Sequence, residues 1–439
     1  MPYIGYFQEI WRSMRKTSAR LNLLKPEEGE DQDSSLETIV ERLMGARGEA
    51  STMLLGRKFL VRYETSTAEE KLSFFNHLLT DFDLDTDELL SLVTTYHNDP
   101  KPGDYRAVLN AATSRRQQLF SKLHEAPGGI STLVKLRADL RKASKTNPAL
   151  LPIDVDLRQL FLSWFNRGFL SLQPIDWQTP ANILEKIIAY EAVHEISNWS
   201  QLRARLEPTD RRCYAFFHLA IPDEPLIFVE IALTTDIPSN IQTLLDVDRT
   251  PIESEQASVA VFYSISNCQP GLAGISFGNF LIKQVSRDLS EELPELSEFV
   301  TLSPMPGFKD WLTSKTETDG SDHKDIADLL AKLEASPPDE DLRNTDLDAR
   351  LKQLAAQYLV EATNDRGLPL NSVARFHLGN GARIERLNPM GDTSENGMQQ
   401  AMGMMVNYYY DLNRVAEYHE SYALDREIAS SKEIKSLLE

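Results

Sequence analysis

A single imidazole, His377, sits in FHLGNGARIERLNPMGD (Phe376 to Asp392), beside an Asn-Gly pair and among several glycines. Histidine has an ordinary pKa near neutrality, so this is one place where the chain could carry a proton to or from a substrate. A second is Ser303, which opens Ser303-Pro304-Met305-Pro306-Gly307-Phe308. Two prolines and a glycine commonly shape a loop, yet they also stiffen it enough to hold one hydroxyl in place. A third is SVAVFYSISNCQPGLAGISFGNFLIKQV, residues 258–285, which reads as a strand, a turn holding Gly271, Gly274 and Gly278, and an amphipathic helix. Such a turn lets backbone N–H groups approach a pyrophosphate at a helix N-terminus. Its spacing matches neither the dinucleotide fingerprint nor a P-loop, so tight packing of helix on strand explains the glycines equally well.

Other residues read more plainly. By strand alternation Val373, Arg375 and His377 share a face, and a type I′ turn at Asn380-Gly381 would pair His377 with Ile384. On pattern alone, a structural histidine is the commoner outcome. Met398, Met402, Met405 and Tyr409 fall at i, i+4, i+7 and i+11, the spacing of a buried helix face rather than a cofactor box. His218 reads as a satisfied core residue, Asn240 as a helix cap, and Glu230 as either a hydrogen-bonded buried carboxylate or an active-site one. Lys283 and Lys309 are phosphate partners or ordinary exposed lysines.

The elements that must position these groups fall into two kinds. In DVDLRQLFLSWFNRGF the apolar positions Leu157, Leu160, Phe161, Trp164 and Phe165 form one helical stripe, and Ser66 to Glu69 has capping-box spacing ahead of KLSFFNHLL. Beyond SLQPIDWQTP the period changes, and CYAFFHLAI, PLIFVEIAL and SVAVFYSIS read as strands. The expectation is therefore an α+β protein, with a helical bundle over residues 1–175 and a mixed α/β domain over 176–439. A length of 439 residues also predicts two domains. Between Asp310 and Asp348 an acidic stretch with Pro337-Pro338 reads as a solvated insertion.

Composition closes off several classes. With 41% apolar and 26% charged residues the chain is an ordinary globular sequence, and a net charge of -20 argues against broad binding to nucleic acid or an anionic membrane. No run of roughly 18 apolar residues is available to span a bilayer. Cys213 and Cys268 have no metal-type spacing, which predicts a reducing compartment. Residues 1–24 are modestly basic and amphipathic, as in an ordinary first helix or, less simply, an organelle transit peptide; the chain ends without the Ser-Lys-Leu peroxisomal address.

The blocks PDEPLIFVEIALTTDIPSNIQ, FYSISNCQPGLAGISFGNFLIK, TLSPMPGFKDWL and VARFHLGNGARIERLNPMGD, followed by MGMMVNYYY, resemble in this order the malonyl-CoA decarboxylases of bacterial type. The resemblance implies a helical oligomerisation domain and a catalytic domain with the acyl-CoA-binding (GNAT-like) fold of the N-acetyltransferase superfamily. It implies conversion of malonyl-CoA to acetyl-CoA and carbon dioxide, with Ser303 and His377 as catalytic residues and Tyr410, in the helix after the histidine, as a third. Coenzyme A would be met by Ser266, Gln269, Gly271, Gly274, Ser276, Gly278 and Asn279, with Asn380 completing the substrate-binding set. Where some members carry an acidic residue after the glycine turn, this chain has Ser276.

Decarboxylation needs an enolate stabilised by hydrogen-bond donors and a carbon protonated near neutral pH. The thioester is itself the electron sink, so no cofactor and no metal is expected. The remaining expectations are a homo-oligomer, a dimer or tetramer, with no nucleic-acid or membrane partner, in the cytoplasm. Two other readings stay open: an acyltransferase of the same superfamily acting on an amine, and a non-catalytic acyl-CoA sensor.

Overall fold

The computed structural model describes residues 34–275, 278–316, 323–335 and 345–439. The basic N-terminal stretch, Ser276 and the Pro337-Pro338 segment lie outside them. The described residues form two compact units: 34–171 with 217–226 and 269–275, and the remainder.

The first unit is helical. Its elements are α1 (Leu36–Gly45), α2 (Glu49–Thr65), α3 (Ala68–Thr80), α4 (Thr86–Asn98), α5 (Pro102–Ala111), α6 (Arg115–Glu125), α7 (Gly129–Ser144) and α8 (Leu151–Trp164). Phe59, Phe74, Phe120 and Phe161 are fully buried at its centre, and α8 contributes Leu157 and Phe161 as its period predicts. The capping box of α3 lies one residue beyond the expected place. Thr67 accepts from the Glu70 N–H at 3.2 Å, and the Glu70 carboxylate accepts from the Thr67 N–H at 2.7 Å. His218 is indeed a satisfied core residue, with Nε2 3.1 Å from the Trp164 carbonyl and Nδ1 accepting from the Ala220 N–H at 3.1 Å.

The second unit is a mixed α/β structure on an eight-stranded sheet. In chain order it carries β1 (Leu170–Pro174), α9 (Ala181–Tyr190), α10 (Trp199–Leu206), β2 (Arg211–His218), β3 (Ile221–Thr234), α11 (Ile241–Leu245), β4 (Val259–Asn267) and α12 (Gly278–Glu292). Then follow β5 (Glu298–Thr301), β6 (Ser303–Pro304), α13 (Phe308–Thr316), α14 (His323–Ala335), α15 (Thr345–Val360), α16 (Ser372–Gly379), β7 (Arg383–Asn388), α17 (Glu395–Ala401), β8 (Met405–Tyr409), α18 (Val415–Asp425) and α19 (Lys432–Ser436). The strand order is β1-β2-β3-β4-β5-β8-β6, with β7 also paired to β8. β4 and β5 run parallel, as a strand–helix–strand crossover through α12 requires. Val259, Val261, Tyr263, Val300, Leu302 and Met405 form one buried cluster on this sheet with Ile241 and Leu244. Asn240 caps α11, accepting from the Thr243 N–H at 3.0 Å.

Three local readings are corrected. His377 is not on a strand and Asn380-Gly381 is not a hairpin turn: His377 lies in the last turn of α16, whose N-cap is Asn371. Gly381, at φ +83°, ends that helix. Its N–H reaches the Leu378 carbonyl at 2.9 Å and the next N–H, of Ala382, reaches the His377 carbonyl at 3.1 Å, the paired bonds of a Schellman stop. The methionines do not share one helix face. α17 ends before Met402 in a left-handed conformation, and Met405 and Tyr409 belong to β8, so Tyr410 follows a strand rather than lying in a helix.

A β-carbon at Gly381 would sit 2.0 Å from the Val415 carbonyl oxygen, in a backbone region disfavoured for other residues. Gly381→Ala should therefore lower unfolding free energy by about 2–4 kcal/mol; a urea midpoint equal to that of the parent protein would contradict this account of the turn.

Candidate active site

Strand β8 is the common support. On one side β5 pairs with it at Val300↔Tyr409 and β6 at Ser303↔Val406; on the other, β7 pairs through Arg383↔Tyr409 and Ile384↔Tyr408. The Schellman turn delivers the chain from α16 directly into β7. Pairing of β7 with β8 thereby carries the C-terminal end of α16 toward Tyr410 and Ser303.

The result is a line of hydrogen bonds in the interior. His377 Nε2 lies 3.2 Å from Ser303 Oγ, 74 residues away in sequence, and Nδ1 lies 2.8 Å from the Tyr410 hydroxyl. Ser303 Oγ donates to Thr301 Oγ1 across 2.8 Å. Ser303, His377 and Tyr410 are 5, 3 and 2% exposed, so almost no bulk water competes for these bonds. The Tyr408 ring stacks on the imidazole, with centroids 4.5 Å apart and planes inclined by 24°.

Burial without a charged partner pushes the His377 imidazole down to about 3. Burial also raises the Tyr410 phenol well above its ordinary range, with the Tyr408 phenol adding to the effect. Both groups are neutral at physiological pH. They can pass a proton along the line but hold no standing charge there.

Asn380, the C-cap of α16, is 1% exposed. Its side chain is near enough to the Tyr410 phenol to oppose that rise slightly, yet neither Nδ2 nor Oδ1 makes a hydrogen bond of ordinary geometry. A buried carboxamide with free donor and acceptor atoms is unusual in a folded protein and suits a site that receives a polar ligand. A cavity of about 180 Å³ is lined by the three residues that follow Ser303, Pro304, Met305 and Pro306, together with Val193, Asp392 and Met405.

Ser266 accepts from the Ala192 N–H and donates to the Glu191 carboxylate, which also takes the Ser264 hydroxyl. Gln269, Gly271 and Gly274 belong to the first unit. There a β-carbon on Gly271 would fall 1.9 Å from the Val134 carbonyl oxygen of α7. Close packing is what that glycine serves, whereas Gly274 is at φ +80° and serves the turn itself. Gly278 and Asn279 open α12.

Two residues outside the expected set hold parts of these surroundings in place. Thr301 stands in EFVTLSP as one more β-branched strand residue. Arg137 is fully buried: its guanidinium grips Asp154 at 2.8 and 3.2 Å and donates to the Gly271 and Ala273 carbonyls at 2.7 and 3.0 Å, fixing the turn. A signal for Arg137 did exist, because it falls on the helical stripe of Leu133, Leu136 and Leu140, where an arginine needs buried partners. Glu230 is a hydrogen-bonded buried carboxylate, paired with Arg205 at 2.9 Å. Among the described residues no group of three or more His, Cys, Asp or Glu side chains could hold a metal ion, and no helix is long and apolar enough to cross a membrane.

A helical unit, a mixed sheet and a buried neutral Ser–His–Tyr line define an α+β protein with an interior hydrogen-bonded site. The family model for the malonyl-CoA decarboxylase C-terminal domain matches residues 168–439, and that for the N-terminal domain matches residues 82–165. The mitochondrial malonyl-CoA decarboxylase of Anser anser anser is 39% identical over 353 residues, covering 74% of this chain and 70% of that protein. Crystal structures of malonyl-CoA decarboxylase from Agrobacterium vitis and Rhodopseudomonas palustris are each 47% identical. Their TM-scores are 0.86 and 0.85, covering 92 and 91% of this chain and 99 and 98% of theirs. The chain belongs to the malonyl-CoA decarboxylase family, and is thus a carboxy-lyase.

The depressed imidazole pKa has a thermodynamic sign. Below about 6.5, the ordinary histidine value, the unfolded chain takes up a proton at His377 while the folded protein does not until about 3. That contribution to stability is complete above the ordinary value and falls away as pH drops toward the folded one. Between pH 6.5 and 4, thermal midpoints of the parent protein should decline more steeply than those of His377→Gln; parallel curves would contradict a neutral buried imidazole.

Proposed function

We propose that Ser303, His377 and Tyr410 carry the conversion of malonyl-CoA to acetyl-CoA and carbon dioxide as one proton line. The carboxylate carbon leaves as carbon dioxide and its bonding electron pair passes into the thioester as an enolate. The Ser303 hydroxyl protonates the α-carbon. His377 Nε2 returns a proton to Ser303 Oγ while Nδ1 takes the Tyr410 proton, and one proton from solvent restores the phenol. The free amide of Asn380 is a donor for the enolate oxygen, of the kind that stabilises charge developing in a dry site. The observation that carries this reading is the unbroken Ser303–His377–Tyr410 line with its imidazole neutral.

No cofactor enters the scheme, because the thioester accepts the electrons. Two features support a phosphate-binding role for the turn from Gln269 to Gly278. Its Gly271 and Ala273 carbonyls are occupied by Arg137, and α12 begins at Gly278. The cavity beside Pro304 to Pro306 suits the malonyl end. Helices α4 and α5 support self-association: their Tyr96 and Tyr105 rings meet at 5.9 Å, yet neither helix buries a residue, and Leu90, Val93, Tyr105 and Leu109 are exposed. The net charge of -20 supports a protein that leaves nucleic acid alone, and a cytoplasmic site fits Cys213 and Cys268, neither of which is in a disulfide.

Purified protein given malonyl-CoA and no acceptor should release acetyl-CoA and carbon dioxide. Ser303→Ala and His377→Asn should each lower kcat by about 10²–10⁴-fold, the usual worth of a proton-transfer group, with acetyl-CoA affinity retained. Full turnover by both variants would remove the line from the mechanism. Light scattering should give a mass of two or four chains, and Leu90→Glu with Leu109→Glu should reduce it; a monomeric parent protein would end the self-association reading.

A further inference from the structure

Thr301, the last residue of β5, is fully buried and touches the line only through Ser303. Its Oγ1 accepts two hydrogen bonds: from the Tyr408 backbone N–H at 3.1 Å and from the Ser303 hydroxyl at 2.8 Å. The first donor cannot be reversed, because an amide N–H has no acceptor role. It occupies one lone pair of the threonine oxygen, and the other lone pair receives the Ser303 hydrogen. The threonine carbonyl is held as well, by the Asn407 carboxamide at 2.8 Å.

The consequence runs along the whole line. A serine hydroxyl has one hydrogen, and here it is directed to Thr301. Ser303 Oγ can therefore meet His377 Nε2 only as an acceptor, so Nε2 carries the imidazole hydrogen. A neutral imidazole has a single N–H, which leaves Nδ1 as acceptor for the Tyr410 hydroxyl. Every donor then points one way, from Tyr410 through His377 and Ser303 to Thr301.

We propose that Thr301 is a positioning residue that sets this polarity, so that Ser303 meets malonyl-CoA as a proton donor and not as a nucleophile. A nucleophilic serine would need the opposite arrangement, with its hydrogen on an Nε2 lone pair. In the arrangement set by Thr301 that lone pair is absent. Rotation about the Ser303 Cβ–Oγ bond swings the same hydrogen from Thr301 toward the α-carbon. As it leaves, the Nε2 hydrogen is already aligned on Ser303 Oγ to replace it. The proposal rests on the proton-line reading for its catalytic meaning, but the resting tautomer is a property of the ligand-free protein.

Two measurements test it. In protein labelled with ¹⁵N-histidine, the resonances absent from His377→Gln identify the ring. Its Nε2 should show the protonated signature and Nδ1 the unprotonated one. Thr301→Val removes the acceptor, frees the Ser303 hydrogen for Nε2, and should convert His377 to the Nδ1–H tautomer. The same variant should lose at least 10-fold in kcat with KM nearly unchanged, whereas Thr301→Ser should retain both tautomer and rate. An Nδ1–H tautomer in the parent protein would overturn the proposal, and so would a Thr301→Val protein with parental tautomer and kcat. A purely structural threonine would lower stability without moving the tautomer. Should Thr301→Val fail to fold, the parental tautomer and Thr301→Ser still decide. If Ser303→Ala and His377→Asn turn over normally while the tautomer is as stated, the proton-line mechanism fails and the role of Thr301 in setting polarity stands.

Discussion

A neutral imidazole in a dry interior makes two opposite demands: one nitrogen requires an acceptor and the other a donor, and water supplies neither. At His377 burial holds the ring neutral to about pH 3, and the two partners are hydroxyls, Ser303 on Nε2 and Tyr410 on Nδ1. Hydroxyls answer this need because each both donates and accepts, so the line can reorganise without creating a charge. A carboxylate beside the ring would have held it protonated and charged, and the site would be a different acid. Much of the second unit can be understood as the means of bringing these three side chains together.

β8 does most of that work. It pairs with β5 and β6 on one edge and β7 on the other, and Tyr410 follows its last residue. Each pairing has a fixed register, so Ser303, Tyr408 and the chain leading from His377 come to one place through backbone bonds that do not depend on the side chains of the line. The stop at Gly381 completes the geometry, because no residue with a β-carbon fits against the Val415 carbonyl in that conformation. The glycine turn is held by a similar device: Gly271 lies against the α7 backbone, and Arg137 takes its carbonyls. In both places a glycine permits a close approach and a specific hydrogen-bond set makes it permanent.

The reading of particular residues shows where sequence is informative. Helix and strand periods were legible where a long apolar stripe or a dense run of β-branched and aromatic residues marked them: α8, β2, β3 and β4 lie where their patterns point. Ser303 and His377 were legible only as motifs within an ordered match to a family. His377 was misread locally, since an eight-residue helix ending in Asn-Gly offers the same letters as a hairpin, and a short apolar run fits both periods. The methionine run was misread for the same reason, a left-handed residue at Met402 breaking what looked like one continuous helix. Thr301 opens the block TLSPMPGFKDWL, but its part was not legible there, because it depends on which backbone N–H lies beside it, and that is a fact of pairing with β8.

By itself the sequence determined the two kinds of architecture, the family and the residues able to move a proton. Those follow from composition, period and short motifs, which are local properties of the chain. Tertiary structure alone decided that Ser303 and His377 meet across 74 residues, that the imidazole is dry enough to stay neutral, and that the Tyr408 N–H lies beside the Thr301 hydroxyl. Each of these depends on distance, exclusion of water or the direction of a hydrogen bond. Such quantities are set by strand register and close packing, which bring together groups that have no proximity in the chain.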